Sequence, residues 1–132
     1  MTTIETTTPK TRTITLTDRP PVKIHEDDWP VIARAKDWDN QHECQANRTW
    51  HLRVREHADG RRIVYGVYGT QFQGERDAAG GYLVAATETE AEGGGYMPDT
   101  AATITAIHDV AEIIGAPQLA AECIANLPAE EI

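Results

Sequence analysis

The pair Asp59-Gly60 constrains the fold more than any other feature of this 132-residue chain. It stands between two segments that alternate apolar and polar residues, 49–57 and 61–72, and Asp-Gly favours the positive dihedrals of a tight type I′ turn. A two-residue turn there opposes Glu56 with Ile63, Val54 with Tyr65, Leu52 with Val67 and Trp50 with Gly69. Opposed residues share a face. Trp50, Leu52, Val54, Ile63, Tyr65 and Val67 then form an apolar side, and His51, Arg53, Arg55, His57, Arg62, Val64 and Tyr68 form the other. A slip of one residue would exchange these faces.

The flanking segments are expected to complete a small α+β domain. Residues 1–10 are Thr-rich and poor in large apolar groups, so they read as a disordered tail ahead of a single domain spanning 11–132. Residues 11–17 alternate, placing Ile14 and Leu16 on one side of a strand, and Val22 and Ile24 continue as an edge strand beyond the turn at Pro20-Pro21. Asp28 as a cap and Pro30 in the first turn predict a helix running to about Trp38. Residues 39–47 and 73–81 read as loops, Tyr82 to Ala86 as a short strand with Thr89 as an alternative end, and Gly93 to Gly95 as a flexible linker. Asp99 or Thr100 caps a helix with Ile104, Ile107, Val110, Ala111 and Ile114 at helical spacing, and Gly115 stops it. A second helix starts at Pro117 with the stripe Leu119 or Ala120, Cys123, Ile124 and Leu127, and ends at Pro128. The architecture predicted is a small antiparallel sheet centred on the 49–72 hairpin, packed by one helix from the N-terminal half and by a C-terminal helical hairpin.

Charge is spread unevenly. The net charge is −9, yet residues 1–76 hold all 12 basic and 11 acidic residues, whereas residues 77–132 hold 10 acidic residues and no Lys or Arg. Such a chain is repelled by phosphate backbones and anionic membranes, which argues against general nucleic-acid coating. No apolar run reaches the roughly 18 residues of a membrane span, no signal-peptide core opens the chain, and Cys44 and Cys123 lack paired spacing; a cytoplasmic setting with free thiols is expected. The acidic half has two readings. One is a set of solvated helix faces and an acidic tail. The other is a surface imitating nucleic-acid charge, with Glu88, Glu90, Glu92, Glu112 and Glu122 docking on a basic partner protein.

Catalytic and cofactor motifs are missing from the sequence. The chain contains no serine, hence no nucleophile elbow, and neither a phosphate-binding loop nor a dinucleotide glycine fingerprint occurs. His42-Glu43-Cys44 is a tight cluster of metal-ligand types, but no Pro-Cys-x-x-Cys follows it, so no metal or other cofactor is expected. Glu26-Asp27-Asp28 reads as a helix cap rather than a catalytic carboxylate pair. The C-terminal helix pair has the small-residue pattern of a DNA-reading helix-turn-helix, but its second helix carries Glu122 and no cation. Basic residues and rings meet on the hairpin, where His51, Arg53, Arg55, Arg62 and Tyr68 offer an alternative nucleic-acid-binding face. That face is equally suited to being covered by the acidic half of the same molecule or of a second copy in a homodimer. Trp29, Trp38, Tyr82, Tyr96 and Arg55 are the candidate anchors for a protein contact.

Residues 18–24 and 29–33, Ala46-Asn47-Arg48-Thr49-Trp50, Asp59-Gly60-Arg61, residues 64–68 and the closing Leu127-Pro128-Ala129-Glu130-Glu131 together resemble a family of small accessory proteins. These are carried by proteobacterial conjugative and integrative elements. The resemblance implies a habitat and no catalytic motif. It raises the class of anti-CRISPR or antirestriction inhibitors, and with it a non-enzymatic role on a nucleic-acid-handling host protein.

Overall fold

In the computed structural model the residues described are 10–36, 48–70, 74–76, 80–90 and 92–129. Strands β4 (Arg48–Glu56) and β5 (Arg62–Thr70) form the central antiparallel hairpin. β3 (Val31–Lys36) pairs with the outer edge of β4. On the free side of β5, β6 (Gly74–Arg76) pairs with residues 68–70 and β7 (Gly81–Val84) with residues 62–65. The described sheet therefore has five strands but is at most four strands wide.

Both faces of this sheet are buried, by different layers. Helices α1 (Thr100–Ile113) and α2 (Leu119–Ala125) cover one, where Leu52, Val54 and Val64 join Ile107, Val110, Leu119 and Cys123. A separate two-stranded ribbon, β1 (Thr11–Ile14) with β2 (Val22–His25), covers the other, where Ile14, Leu16, Ile24 and Trp29 pack on Ile63, Tyr65 and Val67. A second ribbon, β8 (Thr87–Glu88) with β9 (Tyr96–Met97), leads directly into α1.

Several sequence expectations are corrected here, among them the loop at 73–81, which contains β6. The helix expected over residues 28–38 is not formed by residues 28–36: Glu26–Asp28 is one 3-10 turn and Val31–Lys36 is strand β3, while Trp38 lies outside the described residues. The cause is tertiary. β4 needs a partner on its open edge, Val31 and Ile32 are β-branched, and the alternation of buried Ala33 and Ala35 around exposed Arg34 has the strand period of two. The small alanines also let α2 lie close on β3.

The hairpin register is corrected as well. His57 and Arg61 close the turn, so three residues form the loop, and Val54 opposes Val64 rather than Tyr65. Gly60 takes φ 89° while no described residue other than glycine has a positive φ, which excludes the type I′ turn that needs one at Asp59 as well. A three-residue loop ending in a left-handed glycine is the alternative that Asp-Gly also suits. The slip moves Ile63, Tyr65 and Val67 to the face opposite Leu52 and Val54. It costs nothing in burial, because both faces are covered.

The C-terminal segment follows its local signals. The Asp99 side chain accepts from the Ala102 amide at 3.0 Å, capping α1. At its other end Gly115, at φ 74°, donates to the Glu112 carbonyl and Ala116 to the Ala111 carbonyl, which is the Schellman arrangement. Gly93, Gly94 and Gly95 all have positive φ and turn the β8–β9 ribbon, in place of the flexible linker expected there. Of the predicted tail 1–10, residues 1–9 lie outside the described residues, as does the loop at 39–47, while the Lys10 carbonyl accepts from the Glu26 amide at 2.9 Å.

Candidate functional site

Three arginines of the hairpin, Arg53, Arg55 and Arg62, point inward. The odd positions of β4 place Arg53 and Arg55 on the face covered by the β1–β2 ribbon, beside Ile63 and Tyr65, and both are buried. Arg55 Nε donates to the Tyr65 hydroxyl at 2.8 Å, Nη1 to the Trp29 carbonyl at 2.8 Å and Nη2 to Glu26 Oε1 at 3.3 Å. Arg12 Nε donates to the same carboxylate oxygen at 2.9 Å, and this hydrogen bond holds the Glu26 carboxyl below its ordinary range. Arg62 lies on the opposite face, buried under α1, donating from Nε to Glu56 Oε1 at 2.8 Å and from Nη1 to Thr103 Oγ1 at 3.4 Å.

The nucleic-acid-binding face expected from alternation is therefore divided. His51, Arg53 and Arg55 are on the ribbon side, Arg62 and Tyr68 on the helix side, and Tyr68 leans against Trp50 at 5.0 Å between ring centroids. The one-residue register shift causes the division. Arginine serves these interior positions because its planar fork satisfies several acceptors at once.

At the hairpin tip, Trp29 is buried between His57, at 4.9 Å between ring centroids, and the Arg61 guanidinium, 5.1 Å from its ring centroid. Arg61 is in turn held by Asp59, Nε to Oδ2 at 2.7 Å. Trp29 and Arg55 are thus interior groups rather than surface anchors, and Tyr82 is half-buried on the helix side.

The acidic candidates have the opposite placement. Glu88, Glu90, Glu92, Glu112 and Glu122 are all exposed. Glu88, Glu90 and Glu92 belong to the β8–β9 ribbon, Glu112 to the last turn of α1 and Glu122 to α2. The five do not form one cluster: the helical rise from the start of α1 to Glu112 is roughly 18 Å. Among the described side chains, ten carboxylates are exposed but only four cations, Lys10, Arg19, Lys23 and Arg34. The ribbon and the helical layer carry no Lys or Arg at all.

The β8–β9 ribbon also exposes apolar surface. Tyr96 is 66% exposed and Met97 51%. Tyr96 lines a recess of about 240 Å³ with Ala85, Ala86, Asp59 and Arg61, and Met97 borders a second of about 400 Å³ with Glu56, Arg62 and Thr100. The sequence reading named Tyr96 but missed the strand that presents it; the alternation of residues 87–90, followed by three glycines and Tyr96-Met97, is the signal for such a ribbon.

Among the described residues, no three His, Cys, Asp or Glu side chains gather as metal ligands, and His42 and Cys44 lie outside them. Cys123 is fully buried, and burial pushes its thiol up to about 12, so it is a core filler without thiolate character. No described helix is long and apolar enough to cross a membrane. The chain matches no protein-family model, and neither a curated protein nor a solved structure matches it.

Proposed function

We propose that this chain is a non-enzymatic binding protein that docks, through its acidic ribbon and helical layer, on a basic protein surface. One observation carries the reading: Arg55 and Arg62 of the hairpin are buried and hydrogen-bonded inside the fold, while the carboxylates of Glu88, Glu90, Glu92, Glu112 and Glu122 are outside. Folding thus leaves a surface more acidic than the sequence balance alone suggests. A surface of one sign accelerates encounter with a complementary partner. Carboxylates spread along a ribbon and a helix suit an extended basic groove, of the kind that otherwise holds phosphates. The mobile-element resemblance makes a nucleic-acid-handling component of host defence the partner of choice, and occupation of its groove the mode of inhibition.

Capture from a proteobacterial lysate tests this, run with the parent chain and with a variant carrying Gln at positions 88, 90, 92, 112 and 122. Recovery of a nucleic-acid-processing protein by the parent alone is the expected result. Equal recovery by both forms would remove the charge-based reading, and recovery of nothing but the chain itself would replace it with self-association.

A further inference from the structure

We infer that the recess beside Tyr96 is a reading site for an arginine side chain of the protein partner. This rests on the docking reading above and assigns its specificity to one place.

Charge steers encounter but discriminates poorly; specificity requires an anchor that is desolvated on binding. The β8–β9 ribbon supplies one. Tyr96 is the most exposed of the large hydrophobic side chains described, and Glu88 is its directly opposed neighbour in the register, so ring and carboxylate share a face. Ala85 and Ala86 line the recess with Tyr96, offering apolar wall to an aliphatic stem. A guanidinium that stacks on the Tyr96 ring can donate to Glu88, with Glu90 and Glu92 in the adjoining turn adding attraction. Arg61 also borders the recess, but Asp59 neutralises it through the 2.7 Å bond, and its guanidinium lies over Trp29. Asp59 thus offsets Arg61 within the recess, and Glu88 beside Tyr96 leaves carboxylates in excess at its rim, which suits a cation on an aliphatic stem better than a phosphate or a carboxylate.

The ribbon is also held in shape before binding. Thr89 donates from its amide to the Gly95 carbonyl at 2.9 Å, and Thr87 from its hydroxyl to the Met97 carbonyl at 3.2 Å. Little ordering is then needed when an anchor enters.

The test titrates the ¹⁵N-labelled chain with a fluorescein-labelled, arginine-rich dodecapeptide, following amide shifts and anisotropy. Shifts are expected at residues 85–88 and 96. Tyr96→Ala should weaken binding about fivefold, the scale of an exposed cation–π contact, while Tyr96→Phe should keep parental affinity. Removing two charges elsewhere, with Asp109→Asn and Glu112→Gln together, should change affinity less than Tyr96→Ala does. Equal weakening by the two variants, or shifts spread over α1 and α2, would overturn the site and leave only diffuse attraction. Lysate capture separates this failure from that of the docking reading. If Tyr96→Ala still recovers the partner that the five-Gln variant loses, the surface stands and the arginine site falls. If the peptide maps to Tyr96 but parent and five-Gln chains capture alike, the site stands and the docking reading falls.

Discussion

Arg55 shows how a cation stabilises this fold from within. Its guanidinium ties β4 to the Tyr65 hydroxyl, the Trp29 carbonyl and Glu26, bridging the sheet and the segment after β2. Arg55→Ala leaves these buried acceptors without that donor, so a loss of about 3–5 kcal/mol is expected, read as a lower urea midpoint. Glu26 makes the arrangement sensitive to acid. Its folded pKa lies below the ordinary 4.5, chiefly through the Arg12 hydrogen bond. The stability it contributes is therefore present above the unfolded value and is lost as pH falls through the folded one. Glu26→Gln should flatten the decline in urea midpoint between about pH 5 and pH 3; an unchanged decline would show that the carboxylate is not coupled to folding. None of these partnerships is legible in the sequence, because Arg55 and Glu26 meet across 29 positions. Gly60 is a nearer case. Its glycine is readable as a left-handed residue, but whether Asp59 joins it in that region decides the register, and the two hairpin types share the same dipeptide.

At the scale of elements, α1 carries its charges against its own dipole. Asp109 and Glu112 lie near the C-terminal end, where backbone carbonyls favour cations, and its last turn has no basic residue. Glu112→Lys should raise stability by about 0.3–1 kcal/mol while weakening capture of a basic partner. A loss of stability, or unaltered capture, would contradict this division between folding and binding. Such a misplaced carboxylate is what a binding role would retain. The same helix illustrates what a sequence can express. Asp99 and Gly115 delimit it through local hydrogen bonds, and its buried positions recur at helical spacing. β3 is the opposite case. Asp28, Pro30 and the alanines are local helix signals, but β4 required an edge partner, and that demand is not written in residues 28–36 themselves. Asn126, just past α2, donates to the Arg34 carbonyl at 2.9 Å and so caps part of the edge that β3 leaves open.

On the scale of the whole molecule, three layers sort the charges. The exposed cations lie in residues 10–34, in and around the β1–β2 ribbon and on β3, whereas the helices and the β8–β9 ribbon present carboxylates alone. The asymmetry between the halves of the chain was readable as arithmetic. Its sharpening by burial of Arg53, Arg55 and Arg62 was not, since the register expected from the dipeptide puts all three on one face, outside a hairpin covered on the other alone. Two covered faces are what turn a mixed hairpin into an internal one. The same asymmetry permits stacking of copies, acidic layer to cationic ribbon, in which case sedimentation would report association that dissolves at high salt. Occupancy of a basic groove makes a stronger demand. With the captured partner in hand, its bound nucleic acid is titrated with this chain and displacement is followed by anisotropy. Release that saturates at one chain per partner, and that the five-Gln variant fails to produce, is the predicted result; a partner that keeps its nucleic acid at saturating chain would contradict charge mimicry as the function of this surface.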